Sequence, residues 1–157
     1  MNLYICVFVW NFQKSIASPI RPNDEIPQVA AGVYIIWNDE ILIYAGMSGR
    51  QIEQAIRDKK PKIGLITRLA SHASGRLSGD QFCVYVANRI VIPNLSKEQL
   101  GKFETGELTL DYLTKEVIHE KLEYQFVIVD SSAEAYEGEK LVRQGKALGK
   151  QPVFNPL

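Results

Sequence analysis

Two short apolar runs separated by a polar turn constrain this chain more than any other feature. The first run is Gly32-Val33-Tyr34-Ile35-Ile36-Trp37 and the second is Ile41-Leu42-Ile43-Tyr44-Ala45-Gly46, with Asn38-Asp39-Glu40 between them. Both runs are rich in the β-branched and aromatic residues that favour strands, so the pattern predicts a tight β-hairpin. Each run also pairs a tyrosine with a nearby glycine, and we expect the two phenols on neighbouring strands.

Length and composition indicate one folded domain over residues 1–157. A chain of 157 residues is long enough to bury a core, and its 46% hydrophobic and 23% charged residues argue against long disorder. The eighteen basic and eighteen acidic residues give a formal net charge of zero. A nucleic-acid contact would therefore require a local basic face.

Residues 1–31 are expected to form a strand-containing N-terminal extension of this domain. The apolar run from Leu3 to Trp10 predicts a first strand, and a connector with Pro19, Pro22 and Pro27 follows it. The run is short and lacks a basic lead-in or a small-residue cleavage site, so we expect no signal peptide, no membrane span and a cytoplasmic protein. Cys6 and Cys83 are expected to be small buried side chains.

The remaining segments alternate between helical and strand-like patterns. We expect a short helix and a basic loop in 47–63, a helix over 64–74, and a strand over Gln81 to Ala87 that continues toward Ile92. Residues 97–123 predict one or two helices, 123–130 a strand, and 132–147 a final helix. The predicted fold class is α/β of the α+β type, with a small, mainly antiparallel central sheet flanked by helices.

The tyrosine-bearing runs resemble the signature of the GIY-YIG nucleases. Gly32-Val33-Tyr34 and Tyr44-Ala45-Gly46 match it, with Val and Ala where the family name has Ile. In that family an arginine on the next helix, a metal-holding glutamate on a later helix and often a near-terminal asparagine follow. The residues that fall in this order here are Tyr34, Tyr44, Arg68, Glu139 and Asn155, and His72 after Arg68 matches an arrangement of some members. The resemblance implies a metal-dependent endonuclease that acts on DNA.

The family roles carry over to particular side chains. Tyr34 and Tyr44 would handle the proton of the attacking water, although a phenol with a pKa of about 10 needs help to act as a base. Arg68 would grip a phosphate, and His72 would orient a phenol, relay a proton or donate to the phosphate. The plain alternatives are packing tyrosines, a surface arginine and a surface or core histidine.

The metal ligand is expected on the last helix. Glu134, Glu137 and Glu139 all lie there; Glu139 fits the family spacing best and Glu137 is the runner-up. One carboxylate with waters and phosphate oxygens suits a single Mg²⁺ or Mn²⁺ that arrives with the substrate. Asn155 would hold the substrate or the glutamate, or would simply belong to a terminal turn.

A local basic face is predicted beside this site. Residues 44–76 hold seven basic and two acidic side chains, and the last helix adds more basic ones, whereas residues 97–123 hold four basic and seven acidic side chains. We therefore expect the acidic segment to lie away from a polyanion. The predicted nucleic-acid contacts are Arg50, Lys59, Lys60, Lys62, Arg76, Lys140 and Arg143.

Three functions remain open on the sequence alone. The first is the endonuclease, and the second is a catalytically inactive nucleic-acid-binding or interaction module of the same fold. The third is a small-molecule-binding protein, which would need an enclosed apolar pocket. The first requires the two tyrosines, Arg68 and one helix glutamate to converge and line one cleft. Because no zinc finger or coiled coil is evident, we expect a homodimer or a partner protein to supply target specificity.

Overall fold

The structure is a computed structural model that describes residues 13–15 and 26–157. The strands are β1 (Gln13–Ser15), β2 (Val29–Asn38), β3 (Ile41–Ser48), β4 (Ile63–Gly64) and β5 (Leu122–Val129). The helices are α1 (Ile52–Arg57), α2 (Leu65–Ala73), α3 (Gln81–Val86), α4 (Lys97–Thr105), α5 (Leu110–Lys121) and α6 (Ser132–Arg143). The strand predicted from Leu3 to Trp10, Cys6 and most of the N-terminal extension lie outside the described residues. Since β2 begins at Val29, the boundary expected at residue 31 falls inside a strand.

The predicted hairpin is confirmed, with a shorter turn than the sequence indicated. β2 and β3 pair antiparallel and Asn38 lies opposite Ile41, so the turn consists of Asp39 and Glu40 alone. Asp39 has a φ of 53°, a positive value of the kind that two-residue hairpin turns require and that Asp tolerates. The register places Tyr34 opposite Gly46.

The sheet has the antiparallel order β1-β5-β2-β3, and β4 pairs in parallel with the start of β2. The expected fold class, a mainly antiparallel sheet with flanking helices, is confirmed. Among the described residues β3 is an edge strand, and the C-terminal segment covers part of it. The N–H of Val153 donates to Leu42 O at 3.0 Å and that of Phe154 donates to Ile43 O at 2.8 Å.

Alternating residues of β2 face two different layers. Val33 and Ile35 are fully buried against Val142 of α6 on one face. Tyr34 faces the opposite layer, where the buried core includes Leu65 of α2, together with α3 and α5. This layer carries the polar side chains described below.

The apolar run after Asp80 is helical, so the strand predicted over Gln81 to Ala87 is wrong. α3 continues into a π-helical turn at Ala87–Val91 and a 3₁₀ turn at Ile92–Asn94. The Asp80 carboxylate begins the helix by accepting hydrogen bonds from the first N–H groups. A short apolar run does not by itself distinguish a strand from a buried helix. The buried positions recur at helical spacing: Phe82, Cys83, Val86, Ala87 and Val91.

The acidic segment forms two helices, α4 and α5, as expected, and α6 ends at Arg143 rather than near Ala147. Gly145 has a φ of 76°, and its N–H donates to Val142 O while Lys146 N donates to Leu141 O. These two bonds form a Schellman motif, which stops the helix. No helix within residues 13–15 and 26–157 is long and apolar enough to cross a membrane.

Candidate active site

The two signature tyrosines lie side by side on the hairpin face that packs against α2. Their ring centroids are 6.3 Å apart, and Tyr34 is buried whereas Tyr44 is partly exposed. A Cβ at Gly46 would overlap the hydroxyl oxygen of Tyr34. Glycine is therefore required at that position because the phenol of Tyr34 crosses closely over the neighbouring strand.

His72 connects Tyr34 to a buried carboxylate. Its Nε2 lies 2.7 Å from the Tyr34 hydroxyl oxygen, and its Nδ1 lies 2.7 and 2.9 Å from the two carboxylate oxygens of Asp80. An ionised carboxylate only accepts hydrogen bonds, so Nδ1 carries a proton and donates it. In the neutral imidazole, Nε2 then accepts the hydrogen bond from Tyr34. We refer to these three residues as the Tyr34–His72–Asp80 chain.

Asp80 is fully supplied with donors although it is 3% exposed. Besides His72, its carboxylate accepts from the Ser71 hydroxyl at 2.8 Å and from the N–H groups of Phe82 and Cys83. Burial by itself would raise the pKa of Asp80, but the hydrogen bond and charge of His72, with further help from Ser71 and Cys83, outweigh it and hold the pKa below its ordinary value. The ionised carboxylate fixes the His72 proton on Nδ1.

Both phenols are held in the protonated form. Burial, and then the proximity of Tyr44, raises the pKa of Tyr34 well above its ordinary value. Burial, and then the charge of Glu139, raises the pKa of Tyr44 to about 12. Arg68 lowers both pKa values and Glu139 raises both, so these two charged groups are close enough to act on each phenol. A base role for Tyr34 therefore needs an acceptor for its proton, and His72 is in place.

Glu139 approaches the β3 edge from α6. Its carboxylate lies 3.7 Å from the Arg143 guanidinium, whose Nε donates to the backbone oxygen of Asn155 at 2.9 Å. The Asn155 carboxamide donates to Ala45 O at 2.7 Å and accepts from Ala45 N at 3.1 Å. Because Ala45 directly follows Tyr44, these contacts anchor Glu139 beside the tyrosines. Asn155 has a positioning contact rather than a free side chain.

The two predicted metal ligands lie in different surroundings. Glu139 is 18% exposed, and burial raises its pKa against the opposing charges of Arg143 and Arg50. Glu137 is 62% exposed and lies 3.8 Å from Lys140. Among the described residues no group of three or more His, Cys, Asp or Glu side chains is arranged to hold a metal ion. The single carboxylate of Glu139 fits a hard ion that completes its shell with waters and phosphate oxygens.

Arg68 lines a cleft of about 350 Å³ between the end of β3 and the start of α2, which we call the β3–α2 cleft. Tyr34, Tyr44 and Glu139 are not among its described lining residues, so the four predicted residues do not line this cleft together. The cleft also touches the Tyr34–His72–Asp80 chain through Ser71, whose hydroxyl donates to Asp80. Its lining includes Ser48, Arg50, Gly64, Thr67, Arg68 and Ser71.

The predicted nucleic-acid contacts separate into three groups. Arg50 lines the cleft, and the exposed residues Lys59, Lys60 and Lys62 lie on the loop between α1 and β4. Lys140 and Arg143 form ion pairs with Glu137 and Glu139 on α6. Arg76 follows the C-terminal end of α2 and is not among the residues that line the cleft.

Sequence reasoning missed Asp80 and Ser71. Asp80 directly precedes the run predicted to be a strand, and a strand there gives its side chain no evident partner. The signal was an Asp directly before an apolar run, which is an N-cap pattern once that run is taken as helical. Ser71 precedes His72 and would then have been placed near the same carboxylate.

Comparisons of the chain with models of protein families, with curated proteins and with solved structures gave no match.

Proposed function

We propose that this chain is a metal-dependent endonuclease of the GIY-YIG type that hydrolyses nucleic-acid phosphodiester bonds, with DNA as the expected substrate. The observation that carries this proposal is the Tyr34–His72–Asp80 chain, which lies beside Tyr44. The charges of Arg68 and Glu139 also shift the pKa values of both phenols. Burying polar groups costs free energy unless each is paired. A sheet face that serves only packing does not need a buried tyrosine, histidine and aspartate joined by hydrogen bonds.

The Tyr34–His72–Asp80 chain gives the proton of the attacking water a route. Water donates to the phenol oxygen of Tyr34 while Tyr34 passes its own proton to Nε2 of His72. Asp80 offsets the positive charge of the resulting imidazolium. The nucleophile is activated without a free phenolate, so the raised pKa of Tyr34 does not obstruct the step. As the water oxygen binds phosphorus, the bond to the leaving oxygen breaks and that oxygen takes a proton from solvent. The proton on His72 later returns through Tyr34 to solvent, so the protons balance.

Two charged groups act on the phosphate. Arg68 offers a forked set of N–H donors to the oxygens on which negative charge develops. Glu139 would hold the divalent ion, Mg²⁺ or Mn²⁺, and a bound ion supplies Lewis-acid stabilisation of the same oxygens. Arg143 and Asn155 keep Glu139 in position. Target specificity would come from a second copy of the chain or from a partner protein.

A nucleic-acid-binding module that does not cleave is the second candidate. It is favoured by the surroundings of Glu139, whose carboxylate already lies 3.7 Å from the Arg143 guanidinium. Among the described residues, no other His, Cys, Asp or Glu side chains join Glu139 in a group of three or more that could hold a metal ion. Such a module would retain the basic loop and the β3–α2 cleft.

The test is cleavage of supercoiled, linear and branched DNA in Mg²⁺ or Mn²⁺ by the wild type, Glu139→Gln, Arg68→Ala and the matched control Glu137→Gln. We expect the wild type and Glu137→Gln to cleave, and the other two variants to lose at least about a hundredfold in rate. Glu139→Gln should unfold at or above the wild-type temperature, because burial raises the pKa of Glu139 and so disfavours its ionised form in the folded state.

Equal cleavage by the wild type, Glu139→Gln and Arg68→Ala would refute the mechanism. Absence of cleavage on every substrate, with DNA binding retained, would favour the binding module. Loss of activity in Glu137→Gln alone would mean that the assignment of the two glutamates is reversed.

A further inference from the structure

The β3–α2 cleft is lined by a serine whose hydroxyl has no hydrogen-bond partner among the described residues. Ser48 is 8% exposed, and its hydroxyl makes no hydrogen bond within the part of the chain that the structure describes. Along β3, Tyr44, Gly46 and Ser48 share the face that packs against α2, so the Ser48 side chain points toward the helix that forms the other wall of the cleft. Among the described residues the one enclosed side-chain oxygen without a partner is Thr114 Oγ1, so the Ser48 hydroxyl keeps contact with solvent and can pair with a ligand in the cleft.

The start of α2 also faces this cleft without a side-chain cap. Its N-cap residue is Gly64, which has a φ of 99°, and a Cβ there would overlap Ala30 O. Only glycine fits, so no side-chain oxygen accepts from the N–H groups of the first turn. Uncapped N–H groups and the helix dipole favour an anion at this position.

The described charges that line the cleft have one sign. Arg50 and Arg68 both line it, and no carboxylate of residues 13–15 or 26–157 does. The hydroxyls of Ser48 and Thr67 add further polar atoms to the lining. A volume of about 350 Å³ lies at the lower end of the range of roughly 300–1,000 Å³ for small-ligand sites. The cleft thus combines cations, an unpaired hydroxyl and a helix start in a space of modest size.

We propose that the β3–α2 cleft binds a phosphate group, namely a second phosphate of the nucleic-acid strand next to the one that is cleaved. The anion would accept hydrogen bonds from Ser48, Arg50 and the start of α2, and Arg68 would lie between the two phosphates. This assignment of the second phosphate rests on the proposed nuclease function. Binding of the phosphate group itself does not require cleavage.

The test measures binding in the absence of divalent metal, so that no strand is cut. Inorganic phosphate is titrated into ¹⁵N-labelled protein by NMR, followed by a short oligonucleotide with and without a 5′-phosphate. We expect the amides of Ser48, Arg50 and the first turn of α2 to shift with phosphate. Ser48→Ala and Arg50→Gln should each weaken phosphate and oligonucleotide binding about tenfold. Equal binding of the two oligonucleotides identifies an internal phosphodiester, and preference for the phosphorylated one identifies a terminal phosphate.

Two controls separate the cleft from other effects. Thr114→Val removes a buried unpaired hydroxyl that does not line the cleft, and Lys121→Gln removes an exposed positive charge at the end of α5. Both should bind phosphate as the wild type does. Wild-type affinity in Ser48→Ala and Arg50→Gln, or no shift of the cleft amides with phosphate, overturns the proposal. Phosphate binding in a protein that cleaves nothing would refute the nuclease function and leave the phosphate site standing.

Discussion

The two faces of the β-hairpin differ in how their buried side chains are held: by apolar packing on one face and by hydrogen bonds on the other. One face carries Val33 and Ile35, which are fully buried in an apolar cluster with Val142. The other carries Tyr34, which is equally buried but bonded to a buried histidine and, through it, to a buried aspartate. On the apolar face, hydrophobic contacts hold these residues of the sheet against α6. The polar face has kept groups whose burial costs free energy unless every bond is made.

The largest expected difference between the faces comes from removing Asp80. Asp80→Ala removes the cap of α3, which is worth about 0.5–2 kcal/mol, and leaves the Nδ1–H of His72 without an acceptor, which costs about 1–3 kcal/mol more. We expect a loss of roughly 2–5 kcal/mol in the free energy of unfolding, measured by urea denaturation. On the apolar face, Ile35→Val should cost only about 0.5–1.5 kcal/mol. A cost for Asp80→Ala no greater than that of Ile35→Val would contradict the view that the polar chain is fully bonded.

A smaller difference is expected between the wild type and Asp80→Asn in how the free energy of unfolding responds to acid. The pKa of Asp80 is lower in the folded protein than its unfolded value of about 3.9, so its ionised form stabilises the fold above that pH. This contribution is lost as the pH falls through the folded pKa. The free energy of unfolding of the wild type should therefore fall more steeply below about pH 4 than that of Asp80→Asn. Parallel pH profiles of the two proteins would show that Asp80 is not ionised in the folded state.

The sequence predicted the hairpin and the sheet well because their signals are local. Two apolar runs rich in β-branched and aromatic residues, with a short polar turn between them, define β2 and β3 without reference to the rest of the chain. The helix over Gln81–Val86 was missed because its run is short and composed of residues that also favour strands. That error hid Asp80, since only a helix that begins there brings its carboxylate to His72.

The site was only partly predictable for the same reason. The order of Tyr34, Tyr44, Arg68 and Glu139 along the chain was evident from the resemblance, but their spatial relation depends on tertiary contacts. Nothing local indicates that Asn155 binds the backbone of Ala45, or that Ser48 lines the cleft beside α2. The choice between Glu139 and Glu137 likewise rests on the face of α6 that packs toward the sheet.

The most direct test of the central claim is single-turnover cleavage of DNA by Tyr34→Phe in Mg²⁺, with DNA affinity measured on the same samples. The substitution removes one hydroxyl and keeps the ring, so the sheet face should remain packed. Because the hydroxyl would carry the proton from water to His72, we expect the cleavage rate to fall by about 10²–10⁴-fold with unchanged DNA affinity. Cleavage at the wild-type rate by folded Tyr34→Phe would show that the Tyr34–His72–Asp80 chain does not take part in hydrolysis.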